Sequence, residues 1–143
     1  MAGARGAGLV GTANEELLCA WLAAGDRGDV QEFDRYLHPD VVVHAPLGLS
    51  TTGVEAEKAV WADAKRAIPD IRHAVQETLG SESRAVARVV VTGTMTESFA
   101  GIPASGRSFE IDQAVYAHFR DGLIVEAWEI ADIGAMLSQL GVA

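Results

Sequence analysis

Phe119-Arg120-Asp121-Gly122-Leu123-Ile124-Val125-Glu126-Ala127-Trp128-Glu129-Ile130-Ala131-Asp132 is the stretch that decides the fold. An Asp-Gly pair between two alternating apolar runs specifies a β-hairpin. A two-residue loop, Asp121-Gly122, pairs Arg120 with Leu123 and puts His118 and Asp132 on opposite faces. A three-residue loop, Arg120 to Gly122 with Gly122 left-handed, pairs Phe119 with Leu123. It gathers Tyr116, His118, Glu126, Trp128 and Asp132 on one face and Phe109, Ile111, Val115, Phe119, Leu123 and Val125 on the other. The three-residue form is preferred, because it separates a mixed aromatic and polar face from an apolar one. The expectation is that the mixed face lines a pocket and that the apolar face packs against a second subunit.

Outward from the hairpin, the chain reads as helices followed by strands. Thr12-Ala13-Asn14-Glu15 has capping-box spacing and opens an amphipathic helix that Gly25 ends. Its buried stripe is Leu17, Leu18, Trp21 and Leu22. A short helix runs from Asp29 to Leu37, where His38-Pro39-Asp40 breaks it. Val41 to Ala45 is a short strand, and Val54 to Ile68 a third helix stopped by Pro69. Strands follow at Ile71–Leu79, Ala85–Met95, Ser108–Phe119 and Leu123–Ile130, with a long loop at Phe99–Arg107. A terminal helix uses Ile133, Met136, Leu137 and Leu140. Strands grouped after helices argue for an α+β fold: a curved, mainly antiparallel sheet wrapped around N-terminal helices.

The 143 residues suit one domain, here 12–143, preceded by a disordered segment 1–11. That segment is rich in Gly and Ala and lacks the apolar stretch of a secretion signal. The net charge of −9 argues against nucleic acid and anionic membranes as partners. A single cysteine, Cys19, permits no internal disulfide and fits a cytoplasmic setting. No apolar run has the length of a spanning helix. No two histidines have metal-ligand spacing, and no serine or cysteine lies in a nucleophile motif. The Gly101–Gly106 loop lacks the lysine and following helix of a phosphate loop. It reads as a flexible rim that brings Ile102 over a pocket.

Several residues are candidates for a site. Asp132 stands where sheet meets helix, and either caps the last helix or, in apolar surroundings, carries protons near neutral pH. His118 is a proton relay or a half-exposed strand residue. His44 lines either pocket or core. Trp61 and Trp128 are pocket walls or core, whereas Trp21 is plain core. Tyr116 offers a hydroxyl to an enolate oxygen or a structural hydrogen bond. Arg88 needs a partner in Glu126 or Glu110. His38 and His73 read as surface or turn residues.

Gly93-Thr94-Met95-Thr96, Phe99-Ala100-Gly101-Ile102-Pro103-Ala104-Ser105-Gly106-Arg107, His118 through Trp128 to Asp132, and Leu137-Ser138-Gln139-Leu140-Gly141 together resemble the SnoaL-like polyketide cyclases. The resemblance spans roughly Asn14 to Gly141. It implies the nuclear-transport-factor-2-like α+β cone, with a deep pocket in the mouth of the sheet. It further implies aldol closure of a ring on a polycyclic aromatic polyketide, without metal or cofactor. On that pattern Asp132 is the acid/base and His118 supports it; Trp128, Tyr116, His44, Trp61 and Ile102 are the candidate substrate contacts. A homodimer or higher homo-oligomer is expected. The same scaffold hosts polyketide hydroxylation components and non-catalytic pocket proteins, which stay open as alternatives. Ala45 stands where steroid isomerases of this fold carry their base, which argues against that chemistry.

Overall fold

The computed structural model describes residues 12–142; the disorder expected of Met1–Gly11 lies outside the described residues. Helix α1 (Ala13–Arg27) opens on the expected capping box: Thr12 accepts from the Glu15 amide and Glu15 accepts from the Thr12 amide. It does not stop at Gly25. It runs on to Arg27 and ends at Gly28, whose left-handed backbone (φ 81°) closes the last turn. Gly25 serves packing instead: a Cβ there would stand 2.1 Å from Cε3 of Trp61.

A 3-10 turn (Val30–Arg35) leads into β1 (Leu37–His44), which begins four residues before its expected start. A two-residue strand β2 (Thr51–Thr52), absent from the sequence reading, precedes α2 (Val54–Ala67). Then come β3 (Arg72–Gly80), β4 (Arg84–Thr94), β5 (Ser108–Arg120), β6 (Leu123–Ala131) and α3 (Ile133–Gln139). The six strands form one sheet in the order β2-β1-β6-β5-β4-β3. Only the β1–β6 pair is parallel; the other neighbours are antiparallel. The chain thus has the expected α+β architecture.

The closing hairpin takes the two-residue loop, not the preferred three-residue one. Arg120 pairs with Leu123, and Asp121 (φ 54°) and Gly122 (φ 78°) both occupy the left-handed region that a type I′ turn requires. The register then slips: Phe119 pairs with Ile124, but His118 pairs with Glu126. The extra residue is a β-bulge. It restores the parity that the turn reversed, so Tyr116 faces Trp128 across the ladder and shares a face with His118 and Glu126.

That face is the outer one, which corrects the expectation. Helix α1 packs on β3 and β4, α2 on β1 and α3 on β5. The residues they cover are Phe109, Ile111, Val115, Ala117 and Phe119 of β5 and Ala85, Ala87, Val89 and Val91 of β4, all buried. The more apolar face goes to the helices, whose own apolar stripes need covering. The apolar surface assigned to a second subunit is therefore filled from within the same chain. Trp21 is fully buried, as expected of plain core, with its ring 6.4 Å from Phe33 and 6.0 Å from Trp61.

Candidate active site

A cavity opens between the inner face of the sheet and helices α2 and α3. Its walls are apolar: Leu49, Val60, Ile68, Phe99, Ile111 and Met136 contribute. Four polar side chains interrupt them, namely Glu57, His73, Gln113 and Glu129. Each is placed by its element. Glu57 sits on the buried stripe of α2, three residues after Val54 and four before Trp61. Gln113 and Glu129 are inward positions of β5 and β6, Gln113 paired with Ala131 and Glu129 with Val115. His73 is the second residue of β3 and pairs with Val91.

Two carboxyl groups meet here. Glu57 is buried, and its oxygens accept from Thr51 Oγ1 at 2.6 Å and Trp61 Nε1 at 2.7 Å. Burial pushes its pKa up, against the pull of those two donors. Glu129 keeps some surface toward the cavity, but its carboxyl is enclosed by protein. Burial, and then the neighbouring charge of Glu57, push it up to about 8. The two acids titrate as a pair that holds a proton at neutral pH.

On the same cavity, His73 is clamped by Asp26 from the last turn of α1. Asp26 accepts from the His73 backbone N–H at 2.6 Å and from ring Nδ1 at 2.7 Å. Trp61 lies against the imidazole with ring centroids 5.0 Å apart. The side chain of Gln113 is buried, and its Oε1 has no hydrogen-bond partner among the described residues. Buried side-chain acceptors ordinarily have such a partner, so this one stands out.

Of the residues expected to form the site, Trp61 lines this cavity and Asp132, His118, Trp128, Tyr116, His44 and Ile102 do not. Asp132 is exposed and caps α3, accepting from the Ala135 amide at 3.1 Å. His118, Tyr116, Trp128 and His44 form an aromatic cluster on the outer face, with His44 stacked on Trp128 at 5.0 Å and His118 4.9 Å from it. His44 Nε2 lies 2.7 Å from Glu126, and the Tyr116 hydroxyl accepts from Arg84 at 2.9 Å. Ile102 is buried in the loop after β4, bridged to Phe99, and it is Phe99 that reaches the cavity. Arg88 pairs with Glu77 at 3.3 Å, not with Glu126 or Glu110. His73, read as surface, has a side chain only 8% exposed.

The missed residues had a signal. Glu57 falls on an apolar helical stripe and Glu129 on the apolar parity of the hairpin, and buried acids demand an explanation. Among the described residues, no group of three or more His, Cys, Asp or Glu side chains could hold a metal ion. No helix among them is long and apolar enough to cross a membrane.

A curved sheet closed over helices, with acids inside an apolar hollow, defines the α+β cone of nuclear-transport-factor-2-like proteins. Within that class, residues 15–140 match the family described as SnoaL-like polyketide cyclase, and the chain belongs to that family. It is similar to IdmH of Streptomyces antibioticus, provisionally assigned as a polyketide cyclase. The two are 30% identical over 90% of this chain and 99% of that one, with a TM-score of 0.77. TsrD of Streptomyces laurentii is 27% identical over 92% and 96% of the two chains, with a TM-score of 0.82. AclR of Streptomyces galilaeus, provisionally assigned as a hydroxylase, shares the fold at 23% identity and a TM-score of 0.75, over 90% and 95%. No curated protein matches the chain at a significant level.

Proposed function

We propose that the protein closes a ring on an aromatic polyketide by intramolecular aldol addition, with Glu129 as the proton donor. The observation that carries this reading is the Glu57–Glu129 pair within apolar walls, with Glu129 raised to about 8. A carboxyl at about 8 is roughly nine-tenths protonated at pH 7, so its resting state is an acid.

The chemistry follows from that state. A methylene between two carbonyls loses a proton. The resulting enolate carbon bonds to the carbon of a nearby ketone or aldehyde, and the carbonyl π pair moves to oxygen. Glu129 gives its proton to that oxygen as the charge develops. Product and substrate are isomers, so the reaction as written consumes no co-reactant. The neighbouring charge of Glu57, which is tied to Thr51 and Trp61, adds to the donor's affinity for a proton.

Size supports a division of the substrate. The cavity measures about 110 Å³, on the order of the roughly 150 Å³ hollow that admits one benzene ring. A polycyclic substrate therefore extends beyond it.

Incubation with an uncyclised aromatic polyketide under labelled oxygen tests the reading. The expected product has the substrate's mass and one ring more. Incorporation of labelled oxygen would overturn it in favour of hydroxylation, and bound but unaltered substrate in favour of a carrier.

A further inference from the structure

Deprotonation of the methylene needs a base, and a protonated Glu129 is not one. We infer that His73, held by Asp26, is that base: a second catalytic group lining the same cavity as the Glu57–Glu129 pair. This rests on the aldol reading and adds the residue that begins it.

The hydrogen bonds fix the form of the imidazole. A carboxylate has no proton to give, so Nδ1 is the donor in its 2.7 Å contact with Asp26. In the neutral ring the lone pair then lies on Nε2. Nε2 has no hydrogen-bond partner among the described residues, and His73 lines the cavity. The ring is therefore oriented by one edge and free at the other. Trp61 braces it on one side and donates its own Nε1 to Glu57 at 2.7 Å. One indole thus separates the base from the acid pair.

Asp26 is not explained by helix stability. It lies in the last turn of α1, where the carbonyl end of the helix repels a negative charge. Its two oxygens are both spent on His73, one on the backbone at 2.6 Å and one on the ring. Gly25, its neighbour, is the residue whose missing Cβ admits Trp61. The end of α1 is shaped around the imidazole and its brace.

The proton balance closes. The methylene proton passes to Nε2, leaving an imidazolium stabilised by Asp26. The enolate forms the carbon–carbon bond, and Glu129 protonates the alkoxide oxygen. Proton transfer from His73 back to Glu129, directly or through water, restores both groups.

The test uses the full chain and an aromatic precursor deuterated at the methylene between its carbonyls. Two quantities are read: loss of deuterium to water, and ring closure. His73→Ala is expected to lower both by a hundredfold or more, with part of the loss restored by added imidazole. Asp26→Asn is the positioning variant. Its amide donates to Nδ1 and so moves the ring proton to Nε2, which nitrogen-15 shifts of His73 report independently of activity. It is expected to show that exchanged tautomer together with slow deuterium loss and an unchanged melting temperature. Wild-type exchange rates in His73→Ala, with ring closure intact in wild type, would overturn the proposal and leave the aldol reading standing. Absence of both exchange and closure in the wild-type protein with bound substrate would overturn the two together. An Asp26→Asn variant that keeps Nδ1 protonated and exchanges deuterium normally would also overturn it.

Discussion

Replacing Glu129 by glutamine removes a titratable proton while keeping the side chain's size and its ability to donate a hydrogen bond. The carboxyl rises from its ordinary 4.5 to about 8 in the folded chain. At 1.36 kcal/mol per pH unit, that difference corresponds to about 5 kcal/mol. Between pH 4.5 and 8 the folded protein binds more protons than the unfolded one, so stability falls as pH rises through that window. Below 4.5 both states are protonated and nothing is lost; above 8 the loss is complete. Glutamine has no such proton. At pH 5 the variant and wild type should differ little. At pH 9 the variant should be the more stable by up to about 5 kcal/mol, a large part of the 5–15 kcal/mol typical of a domain. Urea unfolding at pH 5, 7 and 9, followed by tryptophan fluorescence, reads the difference, and the dependence on urea should be equal in both proteins. Parallel stability curves across the three pH values, or a variant less stable at pH 9, would refute the placement of an enclosed, unpaired carboxyl at this position.

Two further outcomes follow from the packing. Gly25→Ala should gain about 1 kcal/mol of helix propensity but lose roughly 2–3 kcal/mol by driving a Cβ to 2.1 Å from the Trp61 ring. A melt lowered by several degrees with altered tryptophan emission is expected, and a raised melt contradicts the packing. The homodimer is expected through the apolar face, which the helices fill; a homodimer through the outer face instead would bury Ile130, which is 64% exposed. Light scattering should show Ile130→Glu as a monomer beside a dimeric wild type, and a monomeric wild type at micromolar concentration removes the expectation.

Most of the secondary structure was legible in the sequence because the longer elements announce themselves locally, whereas the two-residue β2 carries no such signal. The capping box at Thr12, the Asp-Gly turn and the Val-rich β4 each specify their own backbone. Element order then dictated the α+β cone. What failed was a question of sides. A one-residue bulge cannot be seen in an alternating run, and one residue inverts every later position. Here the wrong loop length and the unseen bulge cancelled, so the correct residues shared a face. The error lay in giving the mixed face to the pocket. Tyr116, His118 and Trp128 carry more chemistry per residue than Gln113 and Glu129, but burial follows apolar content, and the apolar face had to meet the helices. The His73–Asp26 pair was illegible for another reason. Its members are 47 residues apart in the chain, and neither belongs to a local motif. Helix α2 shows the opposite case: Glu57 stands on its buried stripe with Val54 and Trp61, a spacing that the sequence alone displays.

The central claim is that the reacting centre lies inside the cone, at Glu129, and not at the sheet's rim, at Asp132. The most direct measurement is the rate of ring closure by Glu129→Gln and Asp132→Asn, each compared with wild type on the same aromatic polyketide precursor at pH 7. Glu129→Gln should lower turnover by roughly 10²–10⁴, the usual scale for a general acid. Asp132→Asn should stay within a few-fold of wild type, because asparagine caps a helix about as well as aspartate. Collapse of turnover in Asp132→Asn with Glu129→Gln near wild type would contradict the account.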